Sequence, residues 1–196
     1  MQKELLKTKE GLYMQGPLLI TPQIHFDERG FFYESWNKEK FDSLLKRKVD
    51  FVQDNHSSSG YATLRGLHFQ VAPNIQEKLV RCTHGRIFDV AVDLRKDSKS
   101  FGKWIGAELS SKNQKQLWIP GGFAHGFLAL TDDAEVQYKC SGKWVKSSER
   151  TIIWNDEDIS IKWPLNNIVQ SNIKISDKDK NGLTLKEYLK MDDVLL

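Results

Sequence analysis

Five histidines, His25, His56, His68, His84 and His125, are the natural candidates for proton transfer in this chain. Imidazole is the one side chain whose ordinary pKa places its charge change near neutrality. Two of the five sit in apolar, strand-like surroundings: His68 in RGLHFQ (65–70) with Arg65, and His125 between Ala124 and Gly126 in GGFAHGF. Two other polar groups share such settings. Lys78 precedes Leu79-Val80, and Tyr138 alternates with Val136 and Cys140. Taken singly, each reads as ordinary architecture. A strand His is usually hydrogen-bonded core, a strand Tyr packs with its hydroxyl satisfied, and a Lys beside an apolar pair snorkels outward. Taken together, a His, a Lys and a Tyr inside one small barrel make a proton-transfer site.

A metal site fits less well. A metal-binding β-barrel usually brings two ligands from one strand as His-x-His, with further ligands downstream. The chain has no His-x-His, and His68 and His125 stand on different segments, so the expectation is no metal. The HExxH, P-loop and Rossmann patterns are also missing, as are a GxSxG elbow and a kinase signature.

The segments that must carry these groups read mostly as strands. Ile87 to Arg95 (IFDVAVDLR) alternates, with Phe88, Val90, Val92 and Leu94 on one face and Asp89 and Asp93 on the other. Glu135 to Cys140 alternates again, and WIGAEL (104–109), QLWI (116–119) and FLAL (127–130) lie between. Short strands broken by SSKN, PGG and TDD predict an antiparallel sandwich or barrel. Helical signals are sparse: Asn37 can cap a segment whose Phe41, Leu44 and Leu45 share a face, and a second short helix is expected near Thr184 to Lys190. The class is mainly β with a few short peripheral helices.

Length and composition bound the rest. The 196 residues suit one domain, with an N-terminal arm over about 1–36 and a helical C-terminal tail over about 165–196. With 39% hydrophobic and 28% charged residues, neither a membrane protein nor a disordered chain is expected. A net charge of +3 is too small to imply nucleic-acid binding, yet is compatible with an anionic small ligand. The N-terminus lacks the apolar stretch of a signal peptide, and Cys82 and Cys140 read as reduced core thiols of a cytoplasmic protein.

Many ordered segments resemble one family. DERGFFYESW (27–36), FVQDNHS (51–57), LRGLHFQ (64–70), KLVRCTHGRIFDVAVDLRKDSKSFGKW (78–104), LWIPGGFAHGFLAL (117–130), YKC (138–140), IIWNDEDISIKWP (152–164) and ISDKDKNG (175–182) are similar to the dTDP-4-dehydrorhamnose 3,5-epimerases, over about 17–182. The resemblance implies a cupin-type jelly-roll barrel, a homodimer, and work without metal or organic cofactor. It implies an isomerase that inverts C3 and C5 of a dTDP-4-keto-6-deoxyhexose in L-rhamnose-type deoxysugar biosynthesis. Carried over by position, it makes His68 the base, Asp179 the carboxylate that orients it, Lys78 the cation near the C4 oxygen and Tyr138 the acid on the other face. Arg65 and His125 would line the diphosphate and sugar, Gln53 and Asn55 would lie on the nucleotide side, and Trp144 would stack on the base. Arg29, Phe32 and Glu34 would form an arm that reaches into the partner's nucleotide site.

The stretch SGKWVKSS (141–148) lacks the proline many family members carry there, and the extension before Pro17 is longer than the family pattern. The preference among nucleotide sugars therefore stays open. The rival readings are an epimerase acting at C3 or C5 alone or on another nucleotide sugar such as a GDP- or heptose-based one, a non-catalytic carbohydrate- or nucleotide-binding cupin, and a metal-dependent cupin oxygenase.

Overall fold

The structure, a computed structural model, describes residues 1–165, 168–169 and 172–192. Its strands, in chain order, are β1 (Gln2–Lys7), β2 (Tyr13–Thr21), β3 (His25–Asp27), β4 (Gly30–Phe32), β5 (Gln53–Ser59), β6 (Leu64–Gln70), β7 (Lys78–His84), β8 (Arg86–Asp93), β9 (Trp104–Ser110), β10 (Gln116–Ile119), β11 (Phe123–Ala129), β12 (Ala134–Cys140) and β13 (Glu149–Thr151). Short helices are α1 (Lys38–Leu45), α2 (Asp177–Lys180) and α3 (Leu185–Tyr188). Two antiparallel sheets face each other, in the orders β1-β2-β10-β7-β12-β5 and β13-β6-β11-β8-β9, and β3-β4 forms a separate hairpin. This is a double-sheet jelly roll of the cupin type.

The sequence periodicity explains the sheets, and the covering layers explain where it misleads. Along β8, Val90 and Val92 fall on one face and Ile87 and Ala91 on the other, and all four are buried. Asp89 and Asp93 are fully buried too, so their face of β8 is not a solvent face as simple alternation suggests. The inner core lies between the sheets and joins Val80, Ile87, Ala91, Ile105, Leu117 and Val136. A second core covers the outside of the β13-β6-β11-β8-β9 sheet, where Ile152, Trp163, Leu185 and Tyr188 pack on Val90, Val92 and Leu94. A third packs Phe41 of α1 and Val49 on Ile20, Leu79 and Trp118, outside the other sheet. Because the sheet that holds β8 and β11 is covered on both faces there, these strands need apolar residues all along, and a buried carboxylate must find a partner.

Helix ends follow their capping residues. Asn37 caps α1 by accepting the Lys40 N–H, and Lys46 closes the helix in the left-handed region at φ 57°. Thr184 and Glu187 form a capping box on α3. Among the described residues, the helical tail expected over about 165–196 contains α2 and α3 as its α-helices, four residues each. Lys174 exchanges backbone hydrogen bonds with Ala62 and Leu64 at 3.0 and 2.9 Å, which places Ile173 and Ile175 against the outer core. Residues 166–167, 170–171 and 193–196 of that predicted tail lie outside the described residues. The arm expected over 1–36 also divides: β1 and β2 belong to the sheet, and only β3-β4 stands clear of it.

Candidate active site

His68 and Tyr138 arrive at one cavity from opposite sheets. β6 carries His68 at a position paired with His125 on β11 and with Thr151 on β13. β12 carries Tyr138 opposite Val80 of β7 and Asn55 of β5. Between them opens a cavity of about 500 Å³ whose lining includes His68, Lys78, Tyr138, Asn55, Trp144 and Glu149. A smaller cleft of about 260 Å³, lined in part by Trp36, Arg81 and Gln137, holds none of His68, Lys78 or Asp179.

Asp179 holds His68. Its Oδ1 lies 2.6 Å from His68 Nε2, and its Oδ2 accepts the Gly66 N–H at 3.1 Å. Ser176 caps α2 by accepting the Asp179 N–H, so the helix start aims the carboxylate into the sheet. Burial alone would raise the Asp179 pKa, but the His68 hydrogen bond and charge, the Gly66 N–H and Lys178 outweigh it and hold the group below the ordinary carboxylate range. An ionised Asp179 only accepts, so Nε2 is the donor nitrogen and Nδ1 is left as the basic one. Burial pushes the His68 pKa below its ordinary value, against the opposing pull of Asp179. His68 is therefore neutral, and ready to take a proton, at neutral pH.

A glycine pair makes this contact possible. A Cβ on Gly66, which sits at φ +117°, would lie 2.6 Å from Gly126 Cα and from the His125 carbonyl, and a Cβ on Gly126 would lie 2.7 Å from the Arg65 carbonyl. The register of β6 and β11 shifts between His125 and Phe127, where the two backbones press together. Only glycine fits at both positions, and the close approach presents the Gly66 N–H to Asp179.

Lys78 is 8% exposed, and among the described residues the only hydrogen bond of its ammonium is a long one, 3.5 Å to the His68 carbonyl. Burial lowers its pKa, with Cys140, Asp89 and Glu149 pulling the other way. A cation so weakly satisfied is poised to gain from an anionic oxygen placed beside it. The Tyr138 hydroxyl has no hydrogen-bond partner among the described residues, and burial raises its pKa, so it stays protonated. His125 is 6% exposed and pairs through Nε2 with Asp89 Oδ1 at 2.7 Å, while Asp89 Oδ2 is buried with no hydrogen-bond partner among the described residues. His125 thus lies behind the cavity wall, its ring 6.4 Å from that of Tyr138. Arg65 is held by Ser59 Oγ and the Ser58 carbonyl and is close enough to Tyr138 to act on its charge.

The remaining expected residues divide into two groups. Gln53, Asn55 and Trp144 gather at the cavity: Gln53 donates to Asn55 Oδ1 and accepts the Trp144 N–H, both at 3.0 Å. Arg29, Phe32 and Glu34 do not come to it. Arg29 pairs with Asp27, Glu34 with Lys40, and Phe32 is 74% exposed. Sequence reasoning missed Glu149, Gln70, Gln76 and Lys143, all of which line the cavity, and Lys178, whose ammonium lies 3.0 Å from Glu149. Gln70 was within reach, since it follows His68 by two on the same strand face, and Glu149 stands directly across from it. Cys82 and Cys140 are free and buried, and burial raises both thiol pKa values, Cys82 to about 11. Among the described residues no three His, Cys, Asp or Glu side chains gather as metal ligands would. No described helix is long and apolar enough to cross a membrane.

A cupin-type jelly roll with a His–Asp pair facing a Tyr across a cavity, beside a buried Lys, defines an acid–base isomerase of the sugar-epimerase class. The comparisons with known proteins give the particular family. The dTDP-4-dehydrorhamnose 3,5-epimerase family model matches residues 12–187. The dTDP-4-dehydrorhamnose 3,5-epimerase of Escherichia coli K12 is 52% identical over 178 residues, 91% of this chain and 94% of the relative. Among solved structures, the dTDP-6-deoxy-D-glucose-3,5-epimerase of Legionella pneumophila, in complex with dTDP-4-keto-L-rhamnose, is 40% identical with a TM-score of 0.85, covering 94% of each chain. A 3'-monoepimerase from Streptomyces bikiniensis in complex with dTDP-quinovose is 30% identical with a TM-score of 0.87, covering 94% of this chain and 91% of that one. The chain belongs to the dTDP-4-dehydrorhamnose 3,5-epimerase family.

Proposed function

We propose that this protein inverts C3 and C5 of a dTDP-4-keto-6-deoxyhexose in the cytoplasm, by proton transfer alone. The observation that carries the reading is the 2.6 Å pairing of His68, on one sheet, with Asp179 of α2, across one cavity from Tyr138 on the other sheet, with Lys78 lining the same cavity. His68 Nδ1 takes the proton from the carbon next to the C4 ketone. The C–H electron pair moves into the ring and the carbonyl pair onto O4, giving an enolate whose charge Lys78 stabilises. Asp179 stabilises the imidazolium that forms. Tyr138 then returns a proton to the opposite face of the same carbon, and solvent restores both groups. No electron leaves or enters the substrate, so the sum needs no redox partner. Losing a preorganised donor at the enolate oxygen costs about 3–4 kcal/mol by comparison with oxyanion-hole donors.

Arg65 supports a diphosphate, Gln53 and Asn55 the nucleotide side, and Trp144 the base as a stacking surface. The hairpin β3-β4 supports a homodimer. It bears three large exposed rings, Phe26, Phe31 and Phe32, with Arg29 at its tip, and none of its expected nucleotide contacts reaches this chain's own cavity. Such a surface fits insertion beside a partner's nucleotide. Double inversion is favoured over a single one because identity to the 3,5-epimerase relative far exceeds that to the 3'-monoepimerase. The test is incubation with dTDP-4-keto-6-deoxyglucose in D₂O, with deuterium read at C3 and C5 by NMR. Incorporation and inversion at both carbons is the expected result. Exchange at one carbon alone would assign a single epimerisation, and no exchange would leave a binding protein.

A further inference from the structure

The segment that carries Trp144 is pinned along its backbone by side chains from the barrel, although Trp144 itself is 52% exposed. Gln70, only 4% exposed at the end of β6, makes the central contacts. Its amide nitrogen donates to the Lys143 carbonyl at 3.1 Å and the Asn74 carbonyl at 2.6 Å, and its amide oxygen accepts the Val145 N–H at 2.6 Å. Gln76 donates to the Gly142 carbonyl at 2.7 Å, and Gln53 accepts the Trp144 N–H at 3.0 Å. A loop at a cavity mouth ordinarily leaves such groups to water. Here both backbone neighbours of Trp144 are tied to one buried amide whose donors and acceptor are all used.

We propose that Gln70 is the positioning residue of the nucleotide platform: it fixes Lys143 and Val145, and so presents the Trp144 ring at the cavity mouth before any nucleotide arrives. The proposal rests on the reading of Trp144 as the base-stacking residue given above. Its physical content is preorganisation. A platform already ordered loses little conformational entropy when the base stacks, so affinity is gained without a contact between Gln70 and the nucleotide. Gln70 lies two residues beyond His68 on the same strand face, so the base end of the site and the proton-transfer end hang on one strand.

The test is Gln70→Met, which keeps the length of the side chain and removes its hydrogen bonds. KM for the keto sugar nucleotide and the dTDP dissociation constant, measured by calorimetry, should both rise about tenfold or more. Deuterium exchange at saturating substrate should stay within about threefold of wild type. A merely structural role would loosen the strand that holds His68 and lower kcat instead. If Gln70→Met does not fold, Gln70→Glu, which keeps the shape and the acceptor for the Val145 N–H but cannot supply both donors, decides the matter by the same two constants. Affinity for dTDP within twofold of wild type in the folded variants, or a fall in kcat at unchanged KM, overturns the proposal. A wild-type protein that does not bind dTDP overturns the reading of the site itself, and that result is visible before any variant is made.

Discussion

The barrel interior and the β3-β4 hairpin present their side chains in opposite states. Inside, three of the polar groups are set by their own chain: His68 by Asp179, His125 by Asp89, and Lys78 enclosed beside the His68 carbonyl. On the hairpin, Phe26 and Phe32 are 76% and 74% exposed and, among the described residues, the only ion pair is the local Arg29–Asp27 contact. The proton-transfer groups thus gather within one chain, whereas the hairpin residues do not reach that chain's own cavity. Proton transfer demands fixed distances, which a packed barrel supplies. Recognition of a base and diphosphate is a matter of surface, and a projecting hairpin can lend that surface to a second chain.

The sharpest way to separate the two regions is His68→Asn. Removing the base should cost about 10⁴-fold in kcat, the upper range for a general base, while dTDP binds nearly as in wild type. Retained deuterium incorporation would place the base elsewhere.

Asp179→Asn comes next. An amide in its place no longer dictates which His68 nitrogen carries the proton, and kcat should fall about 10³-fold. The pH profile gives the sign. Burial already holds the His68 pKa below its ordinary value, so kcat/KM of the wild type should fall only below about pH 6.5. Asp179 raises that pKa through its hydrogen bond and charge, so its removal should move the acid limb to still lower pH. A limb that stays put or moves upward would detach Asp179 from the base.

Tyr138→Phe tests the opposite face. The hydroxyl has no partner among the described residues, so its loss should leave the melting temperature close to wild type. His68 can still remove a proton and return solvent deuterium to the same face, so washout should persist at a reduced rate. Inversion should fall much further. An unchanged ratio of inverted product to deuterated, uninverted substrate would give the acid role to another group.

The contrast between the two regions also explains what could be read from the chain. His68, Lys78 and Tyr138 were legible because a polar side chain in an alternating apolar strand is anomalous, and anomaly survives without coordinates. Asp89 was legible only as a residue and not as a partner. Alternation put it on a polar face, but that face, shared with Ile87 and Ala91, turns inward onto the core between the sheets, where Asp89 pairs with His125. The Asp179 contact spans 111 residues and depends on Gly66 meeting Gly126, which no local pattern encodes. The resemblance to a family supplied that pairing, and the geometry then gave it a cause. Gln70 was missed because a glutamine ending a strand looks like solvent-facing polarity.

The smallest effect belongs to the hairpin. Phe32→Ala removes a ring that touches little of its own chain, and the fold of that chain should lose about 0.5 kcal/mol or less. If the ring lies beside a nucleotide in a partner's cavity, the loss appears elsewhere. KM should rise about tenfold with exchange at saturation nearly unchanged, and the melting temperature should become more dependent on protein concentration as the dimer weakens. Mixing supplies the decisive arm. Phe32→Ala spoils the hairpin and His68→Asn spoils the interior, so in a mixed dimer with exchanged hairpins both lesions fall on one cavity and the other keeps an intact site. Equal mixtures of the two variants, allowed to exchange subunits, should then recover high-affinity turnover that neither shows alone. A shared site requires that recovery. Its failure under conditions where sedimentation shows subunit exchange, or full activity in a dilute monomer, would place the whole nucleotide site within one chain and leave the exposed phenylalanines to another purpose.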